Sequence, residues 1–157
     1  MFSGTFETET PILELTLRMG LALVFGGMIG LERELKDRPA GLRTNMMVSL
    51  AAATFTLLAA ELISESTEQS DIIRVDTLRI IDAVIAGVAF LGAGAIIHGG
   101  QDVKGLTTGA SLWMAGAIGV ACGGDYYVIA IVATGLAVIV LYVVSFVENH
   151  FGKPKSD

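Results

Sequence analysis

The chain has 157 residues, 53% of them hydrophobic and 17% charged, with a formal net charge of −6. So little charge, with the apolar residues in long blocks, excludes an ordinary soluble domain and describes a small polytopic membrane protein. The acidic balance excludes nucleic acid as a partner, since no basic face exists to neutralise phosphates. Cys122, the lone cysteine, excludes an intrachain disulfide and a cysteine-built metal cage.

Residues 1–11, "MFSGTFETETP", are acidic and lack the basic start of a signal peptide, so the first apolar segment is expected to be retained, behind an extracytoplasmic N-terminal segment. A bilayer-crossing helix needs roughly 20 residues, within about 17–25. Five segments reach that length: Ile12 to Leu31, Thr44 to Ile63, Ile80 to Ile97, Leu106 to Gly123, and Tyr126 to Val147. The last two are separated only by "GGDYY", a tight turn that favours antiparallel neighbours. The expected fold is therefore all-α, a five-helix transmembrane domain over residues 12–147 with a cytoplasmic tail over 148–157.

Basic residues in short loops orient such a bundle. Arg33, Lys36, Arg38 and Arg43 fall in the first connection, Lys104 in the third, and Lys153 and Lys155 in the tail, all on one side of a five-span protein. The other side holds Arg74 and Arg79 among Glu61, Glu65, Glu68, Asp71, Asp76 and Asp82. This predicts an N-terminus outside and a C-terminus in the cytoplasm.

The first span carries Glu14 and Arg18, four residues apart, a spacing that lets them meet on one helix face with Glu32 on the same side. An intramembrane Arg costs about 2.5 kcal/mol or more unless it is paired or snorkels. The two are either a structural pair near the outer interface or part of a relay whose outer end is Asp82. For Asp82 the plainer reading is a first-turn acid complementing the helix dipole. Gly26 and Gly30 in the first span, Gly87, Gly92 and Gly94 in the third, and the stripe Ser111, Ala115, Gly119 and Gly123 in the fourth let backbones approach closely. They serve packing within the chain, with a homo-oligomer contact or a hinge as the alternative. His98 reads as a residue at the end of the third span, and Trp113 as packed within the fourth.

"AGLRTNMMVSL" and "KGLTTGASLWM" occupy equivalent places. Gly41-Leu42-Arg43-Thr44 matches Gly105-Leu106-Thr107-Thr108, and Gly30 and Gly94 keep the same 64-residue offset. The match suggests a parallel repeat in which spans one and two correspond to three and four. Each Gly permits a sharp turn and each Thr can cap the helix it opens. With Arg43 and Lys104 beside two helix N-termini, the loops suit an anion or a headgroup. Glu32, Glu34, Asp37 and Asp102 instead offer oxygens to a hard cation. The residues leave both open, and part of the pattern is plain capping plus orientation charge.

No paired His, nucleophile elbow or Walker-type loop appears, which argues against an enzyme. No cofactor is indicated, and whether Mg2+ is bound is left open.

"GGMIGLERELKDRPAGLRTNMMVSLAAA", "AGVAFLGAGAII" and "VKGLTTGASLWMAGAIGVACGGDYY" together resemble the MgtC/SapB family of bacterial inner-membrane proteins, from about Leu15 to Val147. Two departures stand out. Ala89 replaces a glycine in "GVAFLGAG", and the tail is short, so a soluble ACT-like domain of the kind some members carry is not expected. The resemblance implies a protein linked to growth at low magnesium and, in pathogens, to survival in macrophages. It implies a regulator of membrane energetics or of other transport proteins, with another membrane protein (an ATP synthase or a cation transporter) as partner beside the lipid bilayer. By motif position it implicates Arg18, Glu32, Arg33, Gly41, Arg43, Thr44 and Asp82. The rival expectations are an ion transporter with a path through Glu14, Arg18, Asp82 and Glu32, and a purely structural membrane subunit.

Overall fold

A computed structural model describes residues 8–69, 77–99 and 102–151. The elements are α1 (Ile12–Leu35), α2 (Leu42–Gln69), α3 (Thr77–Gly94), β1 (Ile97–Gly99), β2 (Asp102–Lys104), α4 (Leu106–Gly123) and α5 (Tyr127–Phe151). Five helices form as the apolar blocks predict. Among them α1, residues 42–64 of α2, and α4 are long and apolar enough to cross a membrane, with shorter apolar stretches at Ile81–Gly94 and Tyr127–Val143. Of the charges used for orientation, Asp71, Arg74, Asp76, Lys153 and Lys155 lie outside the described residues.

The third segment departs from expectation at its end. Its helix stops at Gly94, and the chain turns into an antiparallel hairpin in which Ile97 pairs with Lys104, His98 with Val103 and Gly99 with Asp102. β-Branched Ile96-Ile97 and Val103 flank Gly99-Gly100-Gln101-Asp102, an extended run, turn formers, then an extended run. Only the inward-facing backbone groups pair within this two-stranded hairpin, so its free edges suit the water-facing end of the bundle and not the lipid interior.

Side-chain approaches fix the helix directions. A Cβ added at Gly26 would meet Ser49 and Asn45, and one at Gly30 would meet Leu42 and Gly41, so α1 and α2 run antiparallel. Gly92 faces Gly109 and Gly116 faces Val88, so α3 and α4 do the same. Gly119 lies on Ser49 and Ala52, and Gly123 on Ala53 and Thr56, so α2 and α4 run parallel. The first and second helix pairs are thus joined through their second members, α2 and α4. The close approaches are made at Gly26, Gly30, Gly92 and Gly119, whereas a Cβ on Gly87 or Gly94 would meet nothing within 4 Å. Ser111 and Ala115 complete the α4 stripe and are buried.

The burial is inverted relative to a soluble protein. Ala22, Ala53, Ala115, Cys122 and Ala130 fill the interior, while Leu13 (83% exposed), Phe90 (80%) and Val128 (75%) lie outside. Large apolar side chains spread over every face fit lipid, and small ones inside allow dense helix contact. Trp113, expected to be packed, is half exposed on α4 beside Ile81 and Ile85 of α3.

Two helix ends share one device. Past α1, the N–H of Asp37 donates to Glu34 O and that of Arg38 to Arg33 O; past α4, Asp125 donates to Cys122 O and Tyr126 to Ala121 O. Asp37 (φ 49°) and Asp125 (φ 69°) take the left-handed position of this paired C-terminal motif. Gly105 (φ 91°) opens α4, and a Cβ there would press into the carbonyl oxygen of Ala95. Gly105→Ala is expected to cost about 2 kcal/mol, from left-handed strain plus a clash with backbone that cannot rotate away. Thermal melts in detergent would read the loss.

Candidate functional site

Polar residues collect at opposite ends of the bundle. At the α1 N-terminus Arg18 pairs with Glu14, donates to Gly123 O at 3.0 Å and lies 3.7 Å from Asp125 Oδ2. The guanidinium thus sits on the C-terminal carbonyls of α4, where positive charge complements the helix dipole. This pins α1 to α4. Asp82 is exposed on α3 and is not among the partners of Arg18.

The other end holds the richer cluster. Glu32 and Arg33, in the last turn of α1, are 3% and 5% exposed. Arg33 Nη2 donates to Thr108 Oγ1 at 2.5 Å, tying the end of α1 to the start of α4. Thr108 is itself buried, and its carbonyl accepts from Ser111 Oγ at 2.9 Å. Lys36 Nζ lies 2.5 Å from Glu32 Oε1 and 5.6 Å from the centre of the Tyr142 ring on α5. Glu32 Oε2 and Arg33 Nε are buried without a hydrogen-bond partner.

These side chains open onto a cavity of about 800 Å3 between the end of α1, the β2–α4 junction and α5. Lys36, Arg38, Lys104 and Thr107 add polar lining, and Val140 and Leu141 form an apolar wall. Four cationic side chains, Arg33, Lys36, Arg38 and Lys104, therefore face one carboxylate, Glu32. α4 begins there with Gly105 as its N-cap and no side-chain cap, so neither Thr107 nor Thr108 caps the helix it opens.

The structure brings Glu32, Arg33, Lys104, Gly105, Thr107 and Thr108 to one cavity. Arg43 and Thr44 are exposed in the first turn of α2 and do not line it. The N-terminus of α2 is served by Glu34, whose Oε2 accepts from Leu42 N–H at 3.0 Å, and Gly41 lies against that carboxylate. Asp102 is held in β2 opposite Gly99. Lys36 and Arg38 read in sequence as orientation charges only, yet both line the cavity. The Glu32–Lys36 i,i+4 spacing is the signal that marks Lys36 in advance. Among the described residues no group of three or more His, Cys, Asp and Glu is placed to hold a metal ion.

The fold and its two polar ends define a helical membrane protein with a charged pocket at one end of the bundle. The chain belongs to the MgtC family, whose model matches residues 19–150. It is 37% identical over 123 residues to an uncharacterised protein of Haemophilus influenzae, covering 78% of this chain and 52% of that one. It is 37% identical to protein MgtC of Brucella abortus (79% of this chain, 48% of the relative) and 36% identical to protein SapB of Bacillus subtilis (73% and 49%). A relative in Escherichia coli strain K12, YhiD, named as a candidate magnesium transporter, is 34% identical (83% and 60%). The chain spans about half the length of the first three of these relatives. No solved structure matches.

Proposed function

We propose that the chain is a multi-pass protein of the bacterial inner membrane that acts in Mg2+ homeostasis and adaptation to low magnesium. It does so by regulating membrane energetics or other transport proteins, without catalysing a reaction and without conducting Mg2+ itself. Family membership and the name of the E. coli relative support the link to magnesium. The excess of Arg33, Lys36, Arg38, Arg43 and Lys104 at the hairpin end supports a cytoplasmic location for that end.

The observation that carries the non-conducting reading is the interior between the polar ends. Arg18 and Arg33 are separated by about 22 Å along α1. Over that distance Ala22, Gly26 and Ile29 are buried, and α2 and α4 close on each other through Gly119 and Gly123. Among the described residues Glu32 is the one buried carboxylate, and the interior beyond it offers neutral oxygens such as Asn45 and Ser49. Mg2+ dehydrates reluctantly and demands near-octahedral oxygen coordination, which this interior does not supply. Reconstituted into liposomes, the purified protein is expected to give no saturable Mg2+ influx above empty vesicles. Robust flux abolished by Asp82→Ala or Glu32→Ala would establish the transporter reading instead.

A further inference from the structure

We propose that the cavity at the hairpin end binds a phosphate group whose ligand also carries a hydroxyl donor: the headgroup of an anionic phospholipid such as phosphatidylglycerol, or free phosphate in its protonated forms. This goes beyond the role in magnesium homeostasis and stands whether or not that role is correct.

Three independent features converge on it. The first is charge, since Arg33, Lys36, Arg38 and Lys104 line the cavity against Glu32 alone. The second is the start of α4. Gly109 N–H makes the first intrahelical bond, to Gly105 O at 2.9 Å, so the amides of Leu106, Thr107 and Thr108 precede it, and no side chain caps them. Free amides and the positive end of the helix dipole are a ready anion receptor. The third is Arg33 itself, which is 5% exposed, bonds Thr108 through one nitrogen and leaves Nε unpartnered. A buried guanidinium with an unused donor lacks an acceptor, and a planar donor fork matches phosphate oxygens.

Glu32 refines the choice of ligand. One of its oxygens is committed to Lys36, and Oε2 is buried with no donor. A simple halide or sulfate ion has nothing to give that oxygen, whereas a protonated phosphate or a glycerol headgroup donates a hydroxyl to it. Val140 and Leu141 give the cavity an apolar side on which the glyceride part of a lipid would rest.

The test uses the full chain in nanodiscs of phosphatidylcholine. Sodium phosphate is titrated calorimetrically against sodium chloride of equal ionic strength, and in parallel phosphatidylglycerol retention is followed by native mass spectrometry. Arg38→Gln and Lys104→Gln alter exposed side chains and leave the bundle intact; each is expected to weaken binding about three- to tenfold. Arg33→Lys keeps the charge but loses the fork, and is expected to weaken it at least as much. Saturable phosphate binding lost in these variants identifies free phosphate. Retention of phosphatidylglycerol, lost in the same variants without a phosphate response, identifies the headgroup. Binding of neither probe, or binding unchanged by Arg38→Gln and Lys104→Gln, overturns the proposal.

Discussion

Gly119→Val is expected to cost about 3 kcal/mol or more, and to leave little folded protein in mild detergent at temperatures where the unmodified chain survives. The reason lies in the α2–α4 seam. A Cβ at Gly119 would press into the carbonyl oxygen of Ser49 and come within 2.8 Å of Ala52 Cβ. Ser49 and Ala52 are 0% and 2% exposed, so neither has space to retreat into. The obstructing atoms are backbone and a methyl group, which no rotamer change can move, so the helices must separate. Separation is costly here because lipid supplies no hydrophobic force to restore contact elsewhere, and close van der Waals packing is what holds the pair. Gly87→Ala is the control: its Cβ would meet nothing within 4 Å, so the substitution is expected to be neutral or to stabilise by about 0.5–1 kcal/mol. Thermal melts followed by size-exclusion chromatography compare the two. A Gly119→Val variant as stable as the original chain would mean that α2 and α4 do not meet as described.

That contrast also shows what the sequence could and could not disclose. Five apolar blocks of bilayer length, separated by charged or glycine-rich turns, specify five helices, because the bilayer leaves the backbone few alternatives. The Ser111-Ala115-Gly119 stripe was legible as an interface because small residues recurred every fourth position. Gly87 and Gly94 looked the same in sequence, yet they face away from any neighbour; composition cannot say which face of a helix a glycine occupies. The hairpin is not legible in hydropathy, because Ile96 and Ile97 extend the apolar count of the third block and hydropathy does not distinguish a strand from a helix end. The charged loop divided differently from expectation. Arg33 and Thr108 meet across 75 residues of chain, and Glu32 lines the same cavity. Arg43 was instead turned outward by the helical phase of α2, in which the neighbouring Asn45 is buried and donates its side-chain amide to Ala40 O and Gly41 O. Lys36 entered the cavity by way of its i,i+4 pairing with Glu32, a local rule that orientation counting overlooks.

Glu32→Ala is expected to lower stability by about 2–3 kcal/mol at low ionic strength and to remove the cavity's preference for an anion that carries a hydroxyl donor. Breaking a buried ion pair by removing one partner costs about 3–5 kcal/mol, because the remaining charge is left uncompensated. The lower figure applies here because the Lys36 side chain is 29% exposed and can turn towards water. Arg33 cannot turn away, being held by Thr108 and nearly enclosed, so it carries most of the penalty. With Glu32 gone, the lining of the cavity keeps four cationic side chains and no carboxylate. Raising salt should recover part of the loss by screening. Phosphate should recover more than chloride at equal ionic strength, because a ligand that binds only the folded state stabilises it in proportion to the logarithm of its occupancy. Melting temperatures in detergent, across matched chloride and phosphate series, separate the two effects. Equal recovery by both salts would mean that the cluster responds to bulk screening alone. An unchanged melting temperature at low salt would mean that Arg33 and Lys36 find compensation without Glu32.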